Sequence, residues 1–220
     1  MELEIITSGK YSERDEIRLA ALSSELQAVL RSGNAKMIEQ AADKILKLRP
    51  QQLSAVNAKA YALEISGNFQ EFEQFFQDRI KRFPQAQENY FMLIEGTFRI
   101  PELTAKAPAV ARCFMKQFPA DVDNINAMAW SLLNNMPTSA DAFTAACEAE
   151  KLLISNHAVN PSGRILTTRS LLAYRRCDIK QALELANLAY NRSAAANDKA
   201  FVTDWIKYLQ TVSKQAVKND

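Results

Sequence analysis

Residues 33–84 read GNAKMIEQAADKILKLRPQQLSAVNAKAYALEISGNFQEFEQFFQDRIKRFP. The stretch carries one series twice. Gly33-Asn34, Ile38, Ala42, Leu46 and Pro50 are followed, each 34 residues later, by Gly67-Asn68, Phe72, Phe76, Ile80 and Pro84. Self-similarity at that spacing is the period of a helix–turn–helix repeat. Gly33 and Gly67 can adopt a left-handed backbone and close a first helix. Asn34 and Asn68 can cap the next helix, and Glu71 stands three residues after Asn68 at capping-box spacing. Pro50 and Pro84 lack an N–H and end the second helix. Phe69, Phe72, Phe76, Ile80 and Phe83 make one stripe with helical periodicity. A single helix pair cannot bury such a stripe, so further pairs must stack on it.

Outward from this stretch the pattern continues with drift. Residues 1–11 are a loose lead-in, and Ser12 with Asp15 predicts a capped helix running to Arg31. Its apolar face is Ile17, Leu19, Leu22, Leu26, Val29 and Leu30. Helices follow over 35–48, 53–65 and 69–82. Ala107, Ala111, Met115, Phe118 and Pro119 repeat the Phe72–Pro84 series at an offset of 35, behind a first helix over 87–98 and a turn Arg99-Ile100-Pro101. Pro108 predicts a late or irregular start to the second helix of that pair. The fourth pair covers 124–135 and 139–155, with a lengthened turn and a capping box at Thr138 and Asp141. The fifth spans 163–190 and carries Cys177-Asp178 in place of Gly-Asn. A last helix over 197–217 shows one apolar stripe, Phe201, Trp205, Leu209, Val212 and Ala216, as a terminal cap requires.

The period, the motif Ala182-x3-Ala186-x2-Ala189 and the stretch Asn126-Ala-Met-Ala-Trp130 together resemble the tetratricopeptide-repeat (TPR) family. The family's Trp–Leu–Gly signature is missing: Leu22, Glu25 and Leu26 stand there in the first unit, and Val56, Lys59 and Ala60 in the second. The resemblance implies an all-α fold, a right-handed superhelical solenoid of about five TPR-like helix pairs plus a C-terminal capping helix. The repeats would fall at 12–50, 51–84, 85–119, 120–156 and 161–192, with the cap at 197–217, as one domain. In this family the first helix of each pair lines a concave surface that holds a peptide or helix of another protein. The positions one turn apart on those helices are Ser23, Gln27 and Arg31; Asn57, Tyr61 and Glu64; Phe91, Glu95 and Arg99; Trp130 and Asn134; and Thr167, Leu171 and Arg175. Phe91 and Trp130 have a second reading as packing between repeats. The Lys/Asn/Arg clamp by which some relatives hold chaperone carboxylates is absent, Asn57 alone lying near a suitable place.

Composition agrees with a folded helical chain. Of 220 residues, 48% are hydrophobic, 24% are charged and only five are glycine. A net charge of +2 gives no bulk attraction to nucleic acid, and Arg175-Arg176 reads as solvated surface. No apolar run approaches the roughly 20 residues that span a bilayer, so no membrane insertion is expected. The N-terminus is acidic and does not read as a secretory signal, which suggests the cytoplasm, or the periplasm if this is the mature part of an exported protein. Cys113, Cys147 and Cys177 form no C-x-x-C pair, and Cys113 and Cys147 read as buried thiols.

No nucleophile elbow, P-loop or dinucleotide glycine pattern is present, and the single histidine, His157, reads as a helix-end or exposed residue. The expected function is a non-enzymatic scaffold for another protein or peptide, without cofactor or metal. The alternatives are a homodimer built on the Phe-rich or cap helix, and the helical accessory part of a larger, exported redox enzyme system. If the first-helix positions bind a partner, Tyr61→Ala combined with Arg99→Ala abolishes binding in an affinity-capture assay while the melting temperature stays nearly unchanged. Loss of fold in that variant would place these residues in the core.

Overall fold

A computed structural model describes residues 13–156 and 161–219. The lead-in, the Ser12 cap and His157 lie outside these residues. Among the described residues there are eleven α-helices, one 3-10 segment and no strand. The helices are α1 (Glu13–Ser32), α2 (Ala35–Leu48), α3 (Leu53–Ile65), α4 (Phe69–Arg82), α5 (Gln87–Arg99), α6 (Ala107–Gln117), α7 (Val122–Asn135), α8 (Ala140–Asn156), α9 (Gly163–Arg175), α10 (Ile179–Arg192) and α11 (Ala196–Asn219); the 3-10 segment is Pro101–Lys106. The chain divides into two compact units, the first ending at Lys81 and the second starting at Arg82.

The turns follow the chemistry of their residues. Gly33 and Gly67 take φ +66° and +73°, and Asn34 Oδ1 accepts from the Met37 N–H at 3.1 Å. At the fifth turn Cys177 takes φ +64°, where a side chain is strained, and Asp178 accepts from the Gln181 N–H at 2.9 Å. The α8 cap is Ser139, which accepts from the Ala142 N–H at 3.1 Å. The capping oxygen is therefore one residue later than the Thr138–Asp141 spacing suggests. Pro108 sits in the first turn of α6, where its missing N–H has no helical partner to lose. The 3-10 segment before it absorbs the irregularity.

In the first unit α1 packs on α2 and α2 on α3, around Leu19, Leu26, Ile38, Ala41, Ala42, Ile45, Ala55, Ala58 and Ala62. Ile17 is 67% exposed and does not join this face, since it lies on the far side of the α1 stripe. On α4, Phe72 and Phe76 are fully buried and meet edge to face at 5.0 Å. Each such ring contributes about 2–3 kcal/mol by leaving water. Arg79 is buried beside them because its guanidinium donates to the Pro50 carbonyl at 2.6 Å.

In the second unit Tyr90, Phe114 and Phe118 form an aromatic knot, with centroids 4.9–5.8 Å apart. Burial, then the neighbouring Cys113, pushes the Tyr90 phenol above its ordinary pKa. Helices α9, α10 and α11 share a core of Leu166, Ala173, Ala182, Leu185, Ala186, Ala189, Val202 and Leu209. A hydrogen-bond relay crosses it: the Trp205 Nε1–H donates to Ser170 Oγ at 2.8 Å, and that hydroxyl donates to the Ala182 carbonyl at 2.7 Å. The buried face of α11 thus centres on Val202 and Leu209, while Phe201 is 51% exposed instead of joining the stripe. Buried Glu150 is held between Arg169, at 3.6 Å, and Arg176. That hydrogen bond raises the Arg176 pKa further, so the Arg175-Arg176 pair is not simply solvated.

Cys113 is exposed and Cys147 half-buried, contrary to the buried reading, because the alanine seams of α6 and α8 face away from them. Among the described residues no helix is long and apolar enough to cross a membrane.

Two substitutions of opposite sign check this packing in urea denaturation. Cys177→Gly relieves the left-handed strain and raises the unfolding free energy by about 0.5–1 kcal/mol. A Cβ at Gly163 would stand 2.5 Å from Ser193 Oγ and 3.0 Å from the Ala189 carbonyl oxygen. Gly163→Ala therefore lowers it by about 1–3 kcal/mol.

Candidate functional site

The first-helix positions are placed as follows. On α1, Ser23, Gln27 and Arg31 line one shallow depression together with Ser24 and Ala28. On α3, Asn57 is exposed, Tyr61 is 46% exposed and Glu64 is half-buried. On α5, Glu95 and Arg99 are exposed and pair at 3.6 Å, whereas Phe91 is half-buried with its ring 5.2 Å from Phe114. That contact lies within the third helix pair. On α7, Asn134 is exposed and donates to the Trp130 carbonyl of its own helix at 2.7 Å. On α9, Leu171 is half-buried, and Arg175 lies over the Phe143 ring at 5.7 Å.

Trp130 and Thr167 come together in a cavity of about 600 Å³ in the second unit. Three helices build it, each with a stripe at helical spacing: Asp123, Asn126, Ala127 and Trp130 on α7; Arg164, Thr167 and Thr168 on α9; Asp198, Phe201 and Val202 on α11. Ser193, after α10, completes the lining. Gly163 lets the start of α9 approach the end of α10 beneath it.

The cavity has three kinds of wall. Trp130 and Phe201 meet edge to face at 5.6 Å and form the aromatic side. At the mouth Arg164 pairs with Asp198 at 3.3 Å, and Asp123 is exposed. The floor is polar but turned on itself. Thr167, Thr168 and Ser193 donate their hydroxyl hydrogens to the Gly163, Arg164 and Ala189 carbonyls, at 2.8, 3.2 and 2.9 Å. Asn126 is only 9% exposed, and its Oδ1 has no hydrogen-bond partner. A buried acceptor left without a donor costs about 1–3 kcal/mol.

The sequence reading found Trp130 and Thr167 but missed Asp123, Asn126, Arg164, Thr168, Asp198 and Phe201. The signal was present, since Asp123-x2-Asn126-x3-Trp130 is itself a one-face spacing. It begins about two turns before Trp130, the first α7 position that the resemblance implies. Among the described residues, no group of three or more His, Cys, Asp or Glu side chains is placed to hold a metal ion. The chain matches no protein-family model and no curated protein.

Asn126 tests whether this floor is organised for the folded state alone. Asn126→Leu removes the orphan acceptor with little change of shape, so thermal and urea unfolding should show unchanged stability or a gain of up to about 2 kcal/mol. A loss of more than about 1 kcal/mol would show that the amide is satisfied in solution.

Proposed function

We propose that the protein is a non-enzymatic helical-repeat scaffold of the TPR-like kind, and that it holds a segment of another protein in the cavity between α7, α9 and α11. The observation that carries this reading is a cavity whose wall is exposed aromatic surface and whose floor contains a buried, unpartnered amide oxygen. Desolvated aromatics are the usual energetic centres of protein interfaces.

The repeat reading is supported by a coincidence between sequence period and contact spacing. Within the second unit Gln87 bonds Asp121, Arg164 bonds Asp198 and Tyr174 bonds Tyr208, each pair 34 residues apart, and Trp205 bonds Ser170 at 35. Equivalent positions of successive units therefore meet, as stacked repeats require.

A photo-crosslinking residue, p-benzoylphenylalanine, placed at Ala127 inside the cavity should yield adducts with a second polypeptide in the source cell. The same residue at exposed Met37, outside the cavity, should not yield them. Adducts of Ala127 with another copy of this chain would instead favour a homodimer. Equal labelling from both positions would remove the cavity from consideration.

A further inference from the structure

We infer that the occupant of the cavity is an arginine side chain of the bound segment; this rests on the peptide-binding reading above and names its chemistry. The hydroxyls of the cavity floor are acceptors only. The hydroxyl hydrogens of Thr167, Thr168 and Ser193 are all committed to helix carbonyls, so only oxygen lone pairs remain to face an occupant. Asn126 lines the same floor, and its buried Oδ1 accepts from no donor. Two carboxylates, Asp123 and Asp198, stand against one guanidinium, Arg164, and that guanidinium is engaged by Asp198. Among the described residues Asp123 has no ion-pair partner. The lining is therefore net negative, and the hydroxyls of its floor face an occupant only as acceptors.

The remaining wall is the Trp130–Phe201 pair. A cation that also presents a flat face is held there by the negative face of the rings. Guanidinium meets every condition: five donors in a rigid fork, a permanent charge and planar faces that stack on aromatics. An ammonium supplies the charge but neither the plane nor the fork. A carboxylate or phosphate would face acceptors and be repelled. Along α7 the carboxylate, the amide and the indole occupy successive turns, spanning roughly 10 Å at 1.5 Å per residue. An extended arginine entering past Asp123 lays its methylenes over Ala127 and its guanidinium against the rings, and Asp123 then acts on it only through charge at the mouth.

The test is a displayed library of random dodecapeptides selected on the full chain, with the Trp130→Ala/Phe201→Ala double variant as the counter-selection target. Expected peptides share an arginine at one position. Replacing it by citrulline or lysine should weaken binding at least about tenfold, and Asp123→Asn, a change at an exposed position, should weaken binding by about two- to fivefold. The dissociation constant should also rise with salt. Peptides that distinguish wild type from the double variant but carry no arginine, or bind equally with lysine, would overturn the arginine assignment while leaving the peptide-binding reading standing. A library that yields nothing above the double variant would overturn both, provided circular dichroism shows that variant folded. If it is unfolded, Asp123→Asn serves as the comparison, and unchanged binding to it overturns the assignment.

Discussion

Alanine at 111, 145, 149, 182, 186 and 189 is almost wholly excluded from water. Helices that meet across so small a side chain approach to the near end of the usual range of about 8–10 Å between axes. That close approach governs much else. It leaves no room for a Cβ at Gly163, it brings Ser170 within reach of both a neighbouring carbonyl and an indole, and it pushes larger residues to the flanks of each seam. Phe201 and Trp130 are two of those displaced residues, and they become the walls of the cavity. In the first unit α4 follows a different rule. There Phe72 and Phe76 occupy the positions held elsewhere by small or aliphatic residues, and ring-to-ring contact replaces the alanine seam.

The polar groups of the second unit divide into two kinds. Glu150 is buried, yet two arginines surround it, and Arg112 is similarly held by Asp141 and Glu148, whose hydrogen bonds raise its pKa. These groups are complete without any occupant. Asn126 differs, since its buried Oδ1 has no partner, and exposed Asp123 stands one turn before it on the same face of α7. A protein selected only for stability tends to lose a buried unmet acceptor, because an apolar residue of the same shape serves as well or better.

Helix positions were legible because each boundary is written in residues with a single physical effect. Gly33, Gly67, Pro50 and Pro84 stop helices by their own covalent geometry, and Asn34 and Asp178 start them by accepting one specific N–H. Burial was less legible. Phe201 shares the spacing of its stripe yet remains outside the core, and Cys113 stands among buried residues but points outward. An angular offset of a few tens of degrees decides such cases, and periodicity alone does not resolve it. The cavity was the least legible part, because it depends on which stripes of three separate helices converge. The resemblance directed attention to α7 but about two turns too far along it.

The Trp130–Phe201 contact differs from its neighbours in the length of chain it closes. Side-chain bonds between helices of the second unit mostly join residues about one period apart, whereas these two rings are roughly two periods apart. Closing a longer loop carries a larger entropic penalty, so this wall forms late, after α9, α10 and α11 have zipped together locally. By the same reasoning it opens early, whenever α11 lifts from its seam, without global unfolding. Access to the cavity is thereby tied to the local stability of the last helix.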